Sequence, residues 1–153
     1  MPALTYGFKS ARDMLEKLRR EHQRLQAEVT SDTLFNFVAT GYHLLEWVKK
    51  DPQVPATAKT NLSAVRNAPC IKTCRDLTNA SKHFSLKSNY QGQVTSSAKS
   101  ERGFGVGRFG AGGYGVGEES ISIVLKNGTT LNALQLAGDT VNEWEAFFTH
   151  HGL

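Results

Sequence analysis

The sequence predicts an α+β fold: a four-helix N-terminal bundle, a glycine-rich loop, then a β-hairpin and a short C-terminal helix. Three observations predict it. Apolar residues recur at helical spacing through residues 1–86. Eight of the fifteen residues from 103 to 117 are glycine, too many for a regular element. Beyond them Ile121, Ile123 and Leu125 alternate into Asn127-Gly128, the strongest short hairpin signal.

The elements follow in order. Ser10 with Asp13 forms a capping box that opens the first helix. Ala11, Met14, Leu15, Leu18, Leu25 and Val29 give it one apolar face, and Lys17, Arg19, Arg20, Glu21 and Arg24 a polar one. Ser31 or Asp32 caps a second helix, which Asp51-Pro52 ends. Leu34, Phe35, Phe37, Val38, Tyr42, Leu44, Leu45, Trp47 and Val48 cover most of its circumference, so it should be central. Its exception is a narrow polar stripe of Asn36, His43, Glu46 and Lys50. A weaker third helix follows Pro55, near Ala56 to Arg66. Pro69 suits the first turn of a fourth, which runs to about Phe84. Ser85 to Ser100 reads as extended or loop, and residues 87–117 as a whole as polar and glycine-rich loop. The turn at Asn127-Gly128 should be type I′, with a returning strand from about Thr129 to Leu136. Thr140 and Glu143 make a second capping box for the last helix, and Gly152 stops it.

At 153 residues the chain fits a single domain that buries a core without covalent staples. No apolar stretch approaches the length of a membrane span, and the first residues show no secretory signal. Cys70 and Cys74 read as reduced packing residues, which points to a cytoplasmic protein without a membrane partner. Residues 118–153 carry five acids and one base, so of the net +4 the preceding chain holds about +8. A basic body of this kind suits an anionic ligand, and equally an ordinary solvated surface.

The fourth helix holds the main candidate site. Asp76, Asn79 and His83 fall at i, i+3 and i+7 on one face, beside a basic row of Arg75 and Lys82. Imidazole exchanges a proton near neutral pH and the cations hold a phosphate. The competing reading is the wet face of an amphipathic helix, although Asn, Asp and His are mediocre helix formers there. Asn36, His43 and Glu46 of the second helix are expected to face this row across a shallow polar groove. His43 and Glu46 have the spacing of shared metal ligands, but further ligands are missing, so no metal is expected. Gly105-Val106-Gly107-Arg108-Phe109-Gly110 matches a dinucleotide fingerprint without its βαβ context, so no cofactor is expected. Arg108 and the neighbouring amides still suit a phosphate-cradling loop.

The stretch Asp76-Leu77-Thr78-Asn79-Ala80-Ser81-Lys82-His83 resembles a D-x-x-N-x-x-K-H helix in a group of small bacterial and phage-borne proteins of unsettled activity. The likeness covers about residues 31–84. More remotely, a four-helix unit with Arg and His on a late helix is similar to HEPN domains. That resemblance implies a metal-independent ribonuclease or an RNA-binding relative in a conflict or phage-defence system. Arg75 and His83 would then be catalytic, with Asn79 assisting. Seven residues separate Arg75 from His83, where the HEPN motif has four to six. Two functions stay open. One is an RNA- or phosphate-directed module. The other is a non-catalytic homodimer, or an accessory subunit of a co-encoded protein, that docks through its glycine-rich segment.

Overall fold

In the computed structural model, the residues described are 5–83, 92, 94–102 and 118–153. The glycine-rich segment 103–117, Arg108 within it, lies outside them, and so does the side chain of His83. Among the described residues, five helices and a small antiparallel sheet make an α+β fold.

Local sequence chemistry accounts for the helix limits. Helix α1 (Ala11–Ala27) starts at Ser10, whose hydroxyl accepts from the Asp13 amide while the Asp13 carboxylate accepts from the Ser10 amide. The same carboxylate accepts from the Lys9 amide at 2.7 Å, and that bond holds its pKa below the ordinary carboxylate value. Helix α2 (Ser31–Lys50) is capped one residue earlier than expected, by a Thr30–Thr33 box. Either hydroxyl near this boundary can accept an N3 amide, and Thr30 is the one with extended backbone. Asp51 ends α2 and its carboxylate accepts the Ala11 and Gln53 amides at 2.7 and 2.8 Å. One side chain therefore joins the end of α2 to the start of α1. Helices α3 (Ala56–Asn67) and α4 (Pro69–His83) begin at or just after prolines, as expected.

The C-terminal third departs from expectation in three ways. Strand β1 (Val94–Arg102) lies in the stretch expected as extended chain or loop without a sheet partner, and pairs with β2 (Glu118–Leu125). Its residues are too polar to announce a strand. Backbone pairing with a partner anchored in the core by Ile121 and Ile123 supplies what propensity does not. The expected type I′ turn is absent. The Leu125 carbonyl accepts from the Gly128 amide at 3.0 Å, and among the described residues only Tyr6 has positive φ without being glycine. Lys126, Asn127 and Gly128 thus form a three-residue loop, with the left-handed conformation at Gly128 alone, φ 83°. Finally, the returning strand β3 is only Thr130–Asn132, and α5 (Ala133–His151) begins at once. Asn132 and Gln135 form its capping box. Thr140 is fully buried mid-helix, with its hydroxyl donating to the Leu136 carbonyl at 2.8 Å. Ala133-Leu134-Gln135-Leu136-Ala137 is a run of strong helix formers, which outweighs the later cap signal. Gly152 ends α5 in the left-handed conformation, as expected.

The sheet has the order β1-β2-β3. Helix α2 is central, touching α1, α3, α4 and α5. Gly41 marks the closest approach. A Cβ there would meet Thr140 of α5, Leu18 of α1 and Cys74 of α4. The Trp144 indole N–H donates to the Gly41 carbonyl at 3.0 Å. Arg19 of α1 grips Glu145 of α5 through two bonds of 2.6 and 2.7 Å.

Candidate ligand-binding cleft

Helix α4 splits the predicted row of polar residues. Ile71, Cys74 and Asp76 are buried, Arg75 and Asn79 are half-buried, and Lys82 is exposed. Asp76 is wholly inaccessible. One carboxylate oxygen takes the Arg75 guanidinium at 2.9 and 3.1 Å, and the other accepts the Val94 amide at 3.1 Å. It ties α4 to the first residue of β1 and does not face α2 across the expected shallow polar groove. Burial of a carboxylate is tolerable only with such partners.

On α2 the side chains of Asn36, His43 and Glu46 are exposed. Two of them reach a common feature with α4. Tyr42, His43, Leu45 and Glu46 of α2, Arg66 of α3, and Ile71 and Arg75 of α4 line a cleft of about 250 Å³. Leu45 and Ile71 form a nearly buried apolar floor. The half-buried Tyr42 ring stands 5.9 Å from the His43 imidazole. Glu46 has a loose ion pair with Lys50 at 3.5 Å, both groups being exposed.

The cleft therefore joins three residues of the predicted site: His43, Glu46 and Arg75. Asn36, Asp76, Asn79 and Lys82 do not line it. His83 ends α4 eight residues beyond Arg75, roughly 12 Å of helical rise. Arg66 and Tyr42 belong to the cleft and were missed. The signal for Arg66 was weak: a single base in the last turn of a short helix, where it also complements the helix dipole. Tyr42 lies within the apolar stretch of α2, whose spacing predicts a core residue.

Burial pushes the Cys70 thiol up to about 11 and the Cys74 thiol up to about 12. Burial that disfavours the thiolate suits thiols that pack against the core. Among the described residues, no three His, Cys, Asp or Glu side chains gather in a way that would hold a metal ion. No helix among them is long and apolar enough to cross a membrane. Compared with known proteins, the chain matches no family model, no curated protein and no solved structure.

Proposed function

We propose that this chain is an RNA- or phosphate-directed helical module, HEPN-like in kind, of a bacterial or phage conflict system. The observation that carries the reading is the cleft between α2, α3 and α4, with two guanidiniums and an imidazole around an apolar floor. Guanidinium forks match phosphate oxygens, and an apolar floor beside an aromatic ring accepts a base. The excess positive charge of residues 1–117 steers polyanions toward this end of the chain.

In the catalytic form of the reading, Arg75 stabilises developing phosphoryl charge and an imidazole carries the proton. His83 is the imidazole named by the sequence motif, with Asn79 orienting the substrate. His43 is the imidazole that lines the cleft, and the two are tested side by side. Labelled single-stranded RNAs of varied sequence are titrated with the full chain at low and high salt, and cleavage is followed without added metal. Wild type is compared with Arg66→Ala, His43→Ala and His83→Ala. Binding should weaken with salt, and Arg66→Ala should cost about tenfold in affinity. Loss of the working imidazole should slow cleavage by about a hundredfold or more. Binding without cleavage removes the ribonuclease and leaves the binding module. Wild type that binds none of the RNAs at low salt overturns the reading.

A further inference from the structure

We infer that the cleft takes one unpaired nucleotide, with its phosphate between Arg66 and Arg75 and its base edge on Glu46, and that Glu46 makes it select guanine over uracil. This rests on the RNA-directed reading above and narrows it to one ligand class.

Size sets the first limit. At about 250 Å³ the cleft is smaller than the ~300–1,000 Å³ of pockets for drug-sized ligands. It admits one nucleotide unit and no folded oligomer. Its floor is reached between three helices, so a base must leave its stack to touch Leu45 and Ile71. Unpaired bases do this, whereas the bases of an A-form duplex stay paired and stacked. The Tyr42 ring on the same wall offers a stacking partner.

The charges are divided between the walls. Arg66 comes from α3 and Arg75, whose guanidinium also holds the buried Asp76, from α4, while the carboxylate and imidazole come from α2. Among the described residues Arg66 makes no ion pair, so its guanidinium can engage an incoming anion at no cost in broken pairs. A site for bare phosphate gains nothing from a carboxylate, because Glu46 repels the anion. A ligand that carries an anion at one end and hydrogen-bond donors at the other suits both walls. Guanine presents an N–H and an amino group side by side, which match the two oxygens of a carboxylate. Uracil offers a single N–H between two carbonyl oxygens, so it makes one hydrogen bond to the carboxylate and leaves a carbonyl facing the negative charge. The Glu46–Lys50 contact is long and exposed, so it yields readily to such a ligand.

Calorimetric titrations of the full chain with GMP, AMP, UMP and inorganic phosphate test this. Wild type is compared with Glu46→Gln and Arg66→Ala, each checked by thermal melting. Wild type should bind GMP about tenfold more tightly than UMP, one charge-assisted hydrogen bond's worth. Glu46→Gln, an exposed position, should melt like wild type and lose the GMP preference. Arg66→Ala should weaken GMP and inorganic phosphate together while keeping the GMP-to-UMP ratio. RNA binding with equal GMP and UMP affinities, or a preference that survives Glu46→Gln, overturns this inference and leaves the proposed function standing. Inorganic phosphate binding as tightly as GMP also overturns it, in favour of a simple anion site. Failure to bind RNA or any nucleotide overturns both.

Discussion

Replacing Gly41 by alanine sets two effects against each other at the point where α1, α2, α4 and α5 converge. Glycine inside a helix is less favourable than alanine by about 1 kcal/mol, so in open space the substitution stabilises α2. The space is not open. The new Cβ lies 3.0 Å from Thr140 Cγ2, 3.6 Å from Leu18 Cδ1 and 3.8 Å from Cys74 Sγ. The first distance is well inside the roughly 3.5–4.0 Å of an ordinary carbon–carbon contact. Thr140 has little freedom to retreat. Its hydroxyl donates to the Leu136 carbonyl at 2.8 Å and lies 3.4 Å from Cys74 Sγ. One turn along, Trp144 is bonded to the Gly41 carbonyl, so α5 does not slide away freely. Overpacking of a tight core costs about 1–3 kcal/mol, which exceeds the helix gain. Gly41→Ala should therefore destabilise the protein by about 1 kcal/mol in urea unfolding. Thr140→Ser removes Cγ2 and keeps the hydroxyl. In that background Gly41→Ala should become neutral or stabilising, a coupling of about 1–2 kcal/mol. Gly41→Ala that stabilises an otherwise unchanged protein, or costs the same in both backgrounds, refutes the close-approach argument.

Two further perturbations test the polar architecture. Asp76→Ala removes the acceptor of the Val94 amide and the partner of Arg75, and should cost about 2–3 kcal/mol with faster amide exchange at Val94; unchanged protection at Val94 would show that Asp76 does not hold β1. Arg19 holds the Glu145 carboxyl below its ordinary value of 4.5. A lowered folded pKa means stability present above the unfolded value and lost as pH falls through the folded one. Glu145→Gln should therefore cost about 0.5–1 kcal/mol at neutral pH, discounted for partial exposure, and the two stability curves should meet in acid. Parallel curves down to the lowest pH would contradict an ionic contribution from this pair.

Part of the site was legible in the sequence and part was not. His43, Glu46 and Arg75 could be named because polar residues on otherwise apolar helices stand out by period. Their shared cleft depends on Arg66, which comes from α3, and nothing in the spacing of α2 and α4 indicates where α3 lies. Asp76 shows the reverse error. It was placed with exposed Lys82 and half-buried Asn79 from helical position alone, yet β1 covers it and turns it into an internal anchor. Burial depends on which element arrives overhead, and a helical wheel carries no such information.

By itself the sequence determined the first four helices and the stop at Gly152. Those features depend on capping side chains, prolines and a glycine that act within a few residues of where they stand. Tertiary structure decided what local signals did not. Val94–Arg102 became a strand because Glu118–Leu125 was available to pair with it. The chain turned in three residues at Lys126–Gly128 in keeping with that sheet, whereas the start of α5 at Ala133, seven residues before Thr140, follows the local Asn132–Gln135 cap and the helix formers behind it. Trp144 and Phe148 of α5 then filled the core, and Thr140, expected as a helix cap, became the nearest neighbour of Gly41. Strand pairing and core packing join residues tens of positions apart, and their energies exceed the fractions of a kcal/mol by which local propensities differ.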